Sequence, residues 1–179
     1  RAVTSLFYAL QPDAAAAAQA AELVQRLRAA HGLASLATDP RRLHVTLHHL
    51  GAWPELPAGI AIGALQAAAS LQGAAFEVRF DGVAGFRSRA RKHPLVLLGR
   101  APMPALQAFH RDLGAPLRLQ GLAAEAGEFT PHMTLLRDKR LLPEQAVNPI
   151  AWKAREFVLL QSVVGEGRYA VLGRWPLQG

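Results

Sequence analysis

Hydrophobic and polar positions follow two alternating rhythms along this chain. Residues 3–10 form a short apolar and aromatic run that reads as a strand. Pro12 and Asp13 then open an alanine-rich stretch to about His31, where Leu23, Val24 and Leu27 make an apolar stripe and Gly32 supplies the stop. Residues 43–50 have strand character, 59–71 helical character, and 76–86 alternate as a strand. The second half repeats the theme, with a strand over 94–98, a helix over 102–114 ending at Gly114, and a strand over 129–136. Two strands, 152–164 and 169–175, close the chain around a Gly165-Glu166-Gly167 turn. A strand–helix–strand unit therefore occurs twice, over 3–50 and 94–136, which predicts an internal duplication.

Length and composition narrow the reading. At 179 residues and 51% hydrophobic content, the chain is expected to fold as one domain or two tightly joined lobes. It has no cysteine, which excludes disulfides, thiolate metal sites and a cysteine nucleophile, and fits a cytoplasmic location. No run reaches the ~18 apolar residues of a membrane span, and the first ten residues lack the shape of a signal peptide. The formal net charge is +7, and 17 of the 20 cations are arginine. The surplus is uneven: residues 91–179 carry 12 cations against 7 anions, and residues 1–90 carry 8 against 6. Arginine suits phosphate because its planar fork reaches two oxygens at once.

The chemistry sits in a repeated tetrapeptide. His44-Val45-Thr46-Leu47 and His132-Met133-Thr134-Leu135 each fall on the closing strand of a duplicated unit. Residues i and i+2 of a strand share a face, so His44 with Thr46, and His132 with Thr134, should project together, away from an apolar layer. Two imidazoles facing each other suit general acid–base catalysis, one taking a proton from a nucleophile while the other protonates a leaving group. The threonine hydroxyls can donate to the anionic oxygens of a phosphate.

The chain resembles the 2H phosphoesterase superfamily, and within it the bacterial RNA 2′,3′-cyclic phosphodiesterases, historically called 2′-5′ RNA ligases. The resemblance rests on the two His-x-Thr-x motifs, on Leu6-Phe7-Tyr8-Ala9-Leu10-Gln11-Pro12, on Arg42-Leu43 with Leu50-Gly51 around the first motif, and on Phe129-Thr130-Pro131 with Arg137 around the second. Ser162, Gly167 and Tyr169 match its closing hairpin. It implies an α+β fold of two pseudo-symmetric lobes, each an antiparallel sheet with outer helices, and an active-site cleft between the sheets. It also implies that His44 protonates the departing ribose 3′-oxygen, that His132 deprotonates water, and that Thr46 and Thr134 hold the non-bridging oxygens. The two motifs are too alike for the residues themselves to say which histidine is acid and which is base. Arg137 is implied as a phosphate contact. Phe7 and Tyr8 each suit either stacking on a base or packing under the first helix. The implied partners are RNA ends with 2′,3′-cyclic phosphate or small cyclic nucleotides, acted on by a monomer without metal or cofactor. Rival functions are a 2′-5′ oligonucleotide or small cyclic nucleotide phosphodiesterase, and an RNA-binding module that no longer catalyses.

Several further residues carry expectations. Arg87, Arg89, Arg91 and Lys92 form a basic run suited to an RNA backbone. Strict alternation puts His48 on the face of His44 and turns His49 away. His31, His93 and His110 read as surface or helix-end residues.

Overall fold

The computed structural model describes residues 3–125 and 127–179. Among these described residues, eight strands and three α-helices follow one another as β1 (Thr4–Leu10), α1 (Ala14–His31), β2 (Val45–Trp53), α2 (Ala58–Ala69), β3 (Phe76–Gly85), β4 (His93–Leu98), α3 (Pro104–Leu119), β5 (His132–Asp138), β6 (Gln145–Ala154), β7 (Glu156–Val163) and β8 (Tyr169–Pro176). Local signals set the helix ends. The Asp13 carboxylate accepts the Ala16 N–H at 2.8 Å, and Gly32 takes the left-handed conformation (φ 61°) that returns its N–H to the Arg28 carbonyl.

The strands form one antiparallel sheet in the order β6-β3-β4-β5-β2-β1-β7-β8. The two expected sheets are the four-stranded halves of this single sheet. In each half the motif strand lies innermost, beside its unit's first strand: β2 beside β1, β5 beside β4. The outer strands cross over. β3 follows the first unit but pairs with β4 of the second, and β7 follows the second unit but pairs with β1 of the first. The halves meet through one ladder pair, Val45 with Met133.

Packing splits the two faces of the sheet. One large apolar cluster takes Leu6, Tyr8 and Leu10 of β1, Val45 and Leu47 of β2, Met133 and Leu135 of β5, and the inner stripes of the helices. Tyr8 belongs wholly to it. Its hydroxyl donates to the Ala64 carbonyl of α2 at 2.6 Å, which removes it from any role in substrate stacking. Two small clusters lie elsewhere, Phe7, Ala9, Val158 and Leu160 in one half, and Ala84, Val96 and Leu98 in the other.

Three sequence expectations are corrected. The strand expected over 152–164 is two strands, split at Arg155, and β6 begins well before Trp152. Pro149 lies inside β6, which tolerates it because β6 is an edge strand, where proline costs no ladder bond. Helix α3 also runs past Gly114 and through Pro116 to Leu119, because Leu113 and Leu117 are fully buried and outweigh two helix-breaking residues. Finally, His110 is no surface residue. It is 6% exposed on α3 and stacked between the His48 ring, 4.1 Å away between centroids, and the Phe129 ring, at 4.0 Å.

This stack predicts a pH effect on stability. Burial, then the neighbouring His48 ring, pushes His110 down to about 4, and burial lowers His48 as well. Both rings stay neutral in the folded chain and charge near pH 6.5 in the unfolded one, so acidification favours unfolding. Stability is expected to fall from about pH 6.5 toward pH 4, by about 1.4 kcal/mol per pH unit from His110, with His48 adding in the same direction and the melting temperature following. His110→Phe, which keeps a ring in the stack, should flatten that slope when unfolding is followed by circular dichroism.

Candidate active site

The open side of the β2–β5 junction holds a cleft of about 770 Å³. His44, Thr46, His132, Thr134, Arg137 and Phe7 all line it. Continuing the Val45–Met133 register by one residue either way sets Thr46 opposite His132 and His44 opposite Thr134. The two imidazoles thus occupy opposite corners of a quadrilateral, with a hydroxyl at each remaining corner.

Both imidazoles are anchored in the same way. Nδ1 of His44 donates to the Arg42 carbonyl at 2.8 Å, and Nδ1 of His132 donates to the Thr130 carbonyl at 2.7 Å. Each bond reaches the residue two positions earlier, so the motif strand orients its own histidine. A neutral ring held through Nδ1–H keeps a lone pair on Nε2, and the same nitrogen becomes a donor once protonated. Aromatic walls differ between the halves. His44 sits 5.1 Å from the Phe7 ring and 5.3 Å from the Tyr169 ring, and His132 has Phe86 at 5.1 Å. Burial lowers the pKa of His44; the Arg42 carbonyl bond opposes this, and the charges of Arg42 and His132 add to the lowering.

A β-bulge in each motif strand decides which later residues reach the cleft. In β2, Ala9 pairs with Thr46, Tyr8 with His48 and Phe7 with His49, so Leu47 is the extra residue. In β5, Val96 pairs with Thr134, Leu95 with Leu136 and Pro94 with Arg137, which leaves Leu135 extra. The alternation is reset, and the fifth residue after each histidine faces the cleft. Arg137 therefore lines it, where unbroken alternation would have turned it to the helices. His49 lines it too, and His48 is buried on the other side. This reverses the expectation for His48 and His49, because a sequence pattern of period two carries no mark of the inserted residue.

Each unit also straps the other's motif strand. The loop after α1 reaches across to β5: Thr38 N–H donates to the Leu135 carbonyl at 2.8 Å, Ala37 bridges to Leu136, and Ser35 N–H donates to Asp138. The loop after α3 reaches β2: Glu125 N–H donates to Nδ1 of His48 at 3.1 Å, while the His48 Nε2–H donates to the His110 carbonyl at 2.8 Å. No signal in the sequence marks these straps, since they join residues far apart in the chain.

The cleft is electropositive. Arg42, Lys92 and Arg137 line it, and no aspartate or glutamate does among the described residues. Arg42 lies over the Tyr169 ring at 5.0 Å. Its place does not follow from strand alternation, because Arg42 closes a short 3-10 turn over Pro40–Arg42 ahead of β2. Phe7 is 6% exposed and covered by His44, His49 and Tyr169, so it forms the floor under those rings.

A family model described as the 2'-5' RNA ligase superfamily matches residues 12–165. The chain belongs to this superfamily of 2H phosphoesterases. Solved structures agree along the whole length. LigT of E. coli in its apo form is 28% identical, with 100% of each chain covered and a TM-score of 0.74. E. coli LigT complexed with 3'-AMP is 27% identical over 99% of each chain, with a TM-score of 0.76. A Thermus thermophilus protein, TT0787, at 24% identity over 98% of each chain and a TM-score of 0.76, shares the fold. No curated protein sequence matches the chain. Among the described residues, no helix is long and apolar enough to cross a membrane.

The anchoring predicts a spectroscopic signature for this phosphoesterase site. In ¹⁵N-edited spectra at pH 8, His44 and His132 should both show protonated Nδ1 and a bare Nε2, the minor tautomer of free histidine. On titration His44 should charge below its ordinary value of about 6.5. An Nε2–H tautomer at either ring would contradict the geometry.

Proposed function

We propose that the chain is an RNA 2′,3′-cyclic phosphodiesterase that opens a terminal 2′,3′-cyclic phosphate to a 2′-phosphate. The observation that carries this reading is the pair of Nδ1-anchored imidazoles, diagonal to two threonine hydroxyls, in a cleft with no carboxylate lining it among the described residues. In the proposed step His132 Nε2 takes a proton from water as its oxygen bonds to phosphorus. The bond from phosphorus to O3′ breaks, and protonated His44 delivers its proton to that oxygen. Thr46 and Thr134 donate to the non-bridging oxygens, where negative charge gathers. Atoms balance with one water consumed, and the two histidines exchange protonation states, to be reset by solvent. Every proton and hydrogen bond comes from these four side chains, so the reading calls for no metal or cofactor. With a 5′-hydroxyl in place of water, the same step would form a 2′-5′ linkage.

The burial of His44 favours its neutral form. An anionic phosphate in contact with the ring raises its pKa, so substrate binding itself charges the acid. The complex of E. coli LigT with 3'-AMP, a 27% identical protein, supports a nucleotide-bearing substrate. A base has the Tyr169–Arg42 stack to extend, above Phe7, an interaction worth about 1–3 kcal/mol.

The cleft's rim supports RNA as that substrate. The β3–β4 connection carries Arg87, Arg89, Arg91 and Lys92, all exposed and none in an ion pair among the described residues. The Ser88 hydroxyl donates to the Lys92 carbonyl at 3.1 Å, and the Ser88 N–H donates to His93 Nδ1 at 3.0 Å, which ties the loop into a compact turn. Asp138, the carboxylate on the adjoining strand, is buried, and its oxygens are taken by the Ser35 and Arg140 N–H groups. Of this run, Lys92 lines the cleft itself. We place the reaction in the cytoplasm, in a monomer.

Two measurements test the reading. A short RNA ending in a 2′,3′-cyclic phosphate, incubated with EDTA, should yield a 2′-phosphate terminus. A 3′-phosphate product would mean that the leaving oxygen is O2′. His44→Ala and His132→Ala should each lower turnover by at least about 10²-fold while the fold is kept, and full activity in either would end the two-histidine mechanism. For RNA binding, Arg137→Ala should reduce the slope of log affinity against log salt by about 0.7–1, and an unchanged slope would remove Arg137 from the phosphate contacts.

A further inference from the structure

We infer that His49, with Ser5 and Ser162, forms a second anion subsite that holds a phosphate one nucleoside away from the reacting one. The inference rests on the phosphodiesterase reading and names which end of the substrate that cleft prefers. Its first ground is the pair of equivalent bulges. They make His49 the counterpart of Arg137, each the fifth residue after a motif histidine and each turned into the cleft by one inserted leucine. The chemical step uses neither position, and both carry N–H donors suited to phosphate oxygens.

The second ground is the company His49 keeps. It is exposed, and the Phe7 ring lies nearly parallel to it, with 6.4 Å between centroids and 14° between planes. Ser5 of β1 pairs with Ser162 of β7, and both serines line this end of the cleft. The Glu125 carboxylate accepts the His49 main-chain N–H at 3.4 Å and lines a separate pocket, with His48 and His110, on the other side of β2. The end therefore offers an imidazole and two hydroxyls with no carboxylate lining it among the described residues, a donor set for an oxyanion.

The third ground is distance. Thr46 and His49 sit beside Ala9 and Phe7, two residues apart on β1, or roughly 6.6 Å at about 3.3 Å per residue. That is the scale of one nucleoside between its 3′ and 5′ oxygens. With the cyclic phosphate at the histidine–threonine quadrilateral, the 5′-phosphate of the same nucleoside falls to His49, and Arg137 lies beyond the opposite corner. The subsite thus selects a terminal nucleotide that continues 5′ into another phosphate, over one that ends in a 5′-hydroxyl.

The test compares a nucleoside 2′,3′-cyclic phosphate with the same compound carrying a 5′-phosphate. In the wild type the added phosphate should raise kcat/KM about tenfold, the effect of one charge-assisted hydrogen bond. His49→Leu should bring that ratio to about one, and His49→Arg should restore it. A ratio that stays at ten in His49→Leu, or that collapses in Arg137→Gln instead, overturns the subsite. Calorimetry with a nucleoside 2′-phosphate and the corresponding 2′,5′-bisphosphate gives the same ratio as dissociation constants. If neither cyclic compound is hydrolysed the phosphodiesterase reading fails, and the calorimetric ratio still decides for or against His49.

Discussion

The single ladder pair between Val45 and Met133 is the constraint on which the site depends. It joins two four-stranded halves and marks the register of one motif strand against the other. A slip of one residue would turn every side chain of a strand to the opposite face, sending its histidine and threonine into the apolar layer and an apolar residue into the cleft. One pair is little to resist such a slip. The register is held instead by burial of Val45, Leu47, Met133 and Leu135 on the helix side, all without exposure to solvent. The reciprocal straps add to it, because each loop bonds to the motif strand of the other half.

The two halves share geometry but not environment. Both histidines are held through Nδ1 by the carbonyl two residues earlier, and both strands carry a bulge at the same offset. Around that common frame His44 is walled by Phe7 and Tyr169, and His132 by Phe86 alone among the described aromatic contacts. A two-fold arrangement with identical surroundings would give two groups of equal acidity. The unequal surroundings set the two rings apart, with His44 enclosed between aromatic walls from two strands.

Much of the fold is legible from the chain. The duplicated strand–helix–strand unit, the helix ends at Asp13 and Gly32, and the shared face of each histidine and threonine all follow from period, capping and strand geometry. The misread parts have physical causes. Most of β6 escapes a sequence reading because proline signals a break, although an edge strand tolerates it. Local propensity ends helix α3 at Gly114, a stop that the burial of Leu113 and Leu117 overrides. His110 reads as an isolated surface residue because its partners, His48 and Phe129, are distant in sequence.

What the sequence by itself determined is the identity of the motif side chains and their local pairing, since i and i+2 on a strand must share a face whatever the rest of the chain does. What only the tertiary structure decided is which residues surround them. A bulge is defined by the partner strand, so the exchange of His48 for His49, and the entry of Arg137, exist only once β1 and β4 are paired with β2 and β5. The lowered pKa of His44 likewise comes first from burial, under rings brought by β1 and β8, with the charges of neighbouring Arg42 and of His132 from the opposite half adding to it. Local geometry is set by covalent spacing, whereas environment is set by contacts between residues far apart in the chain.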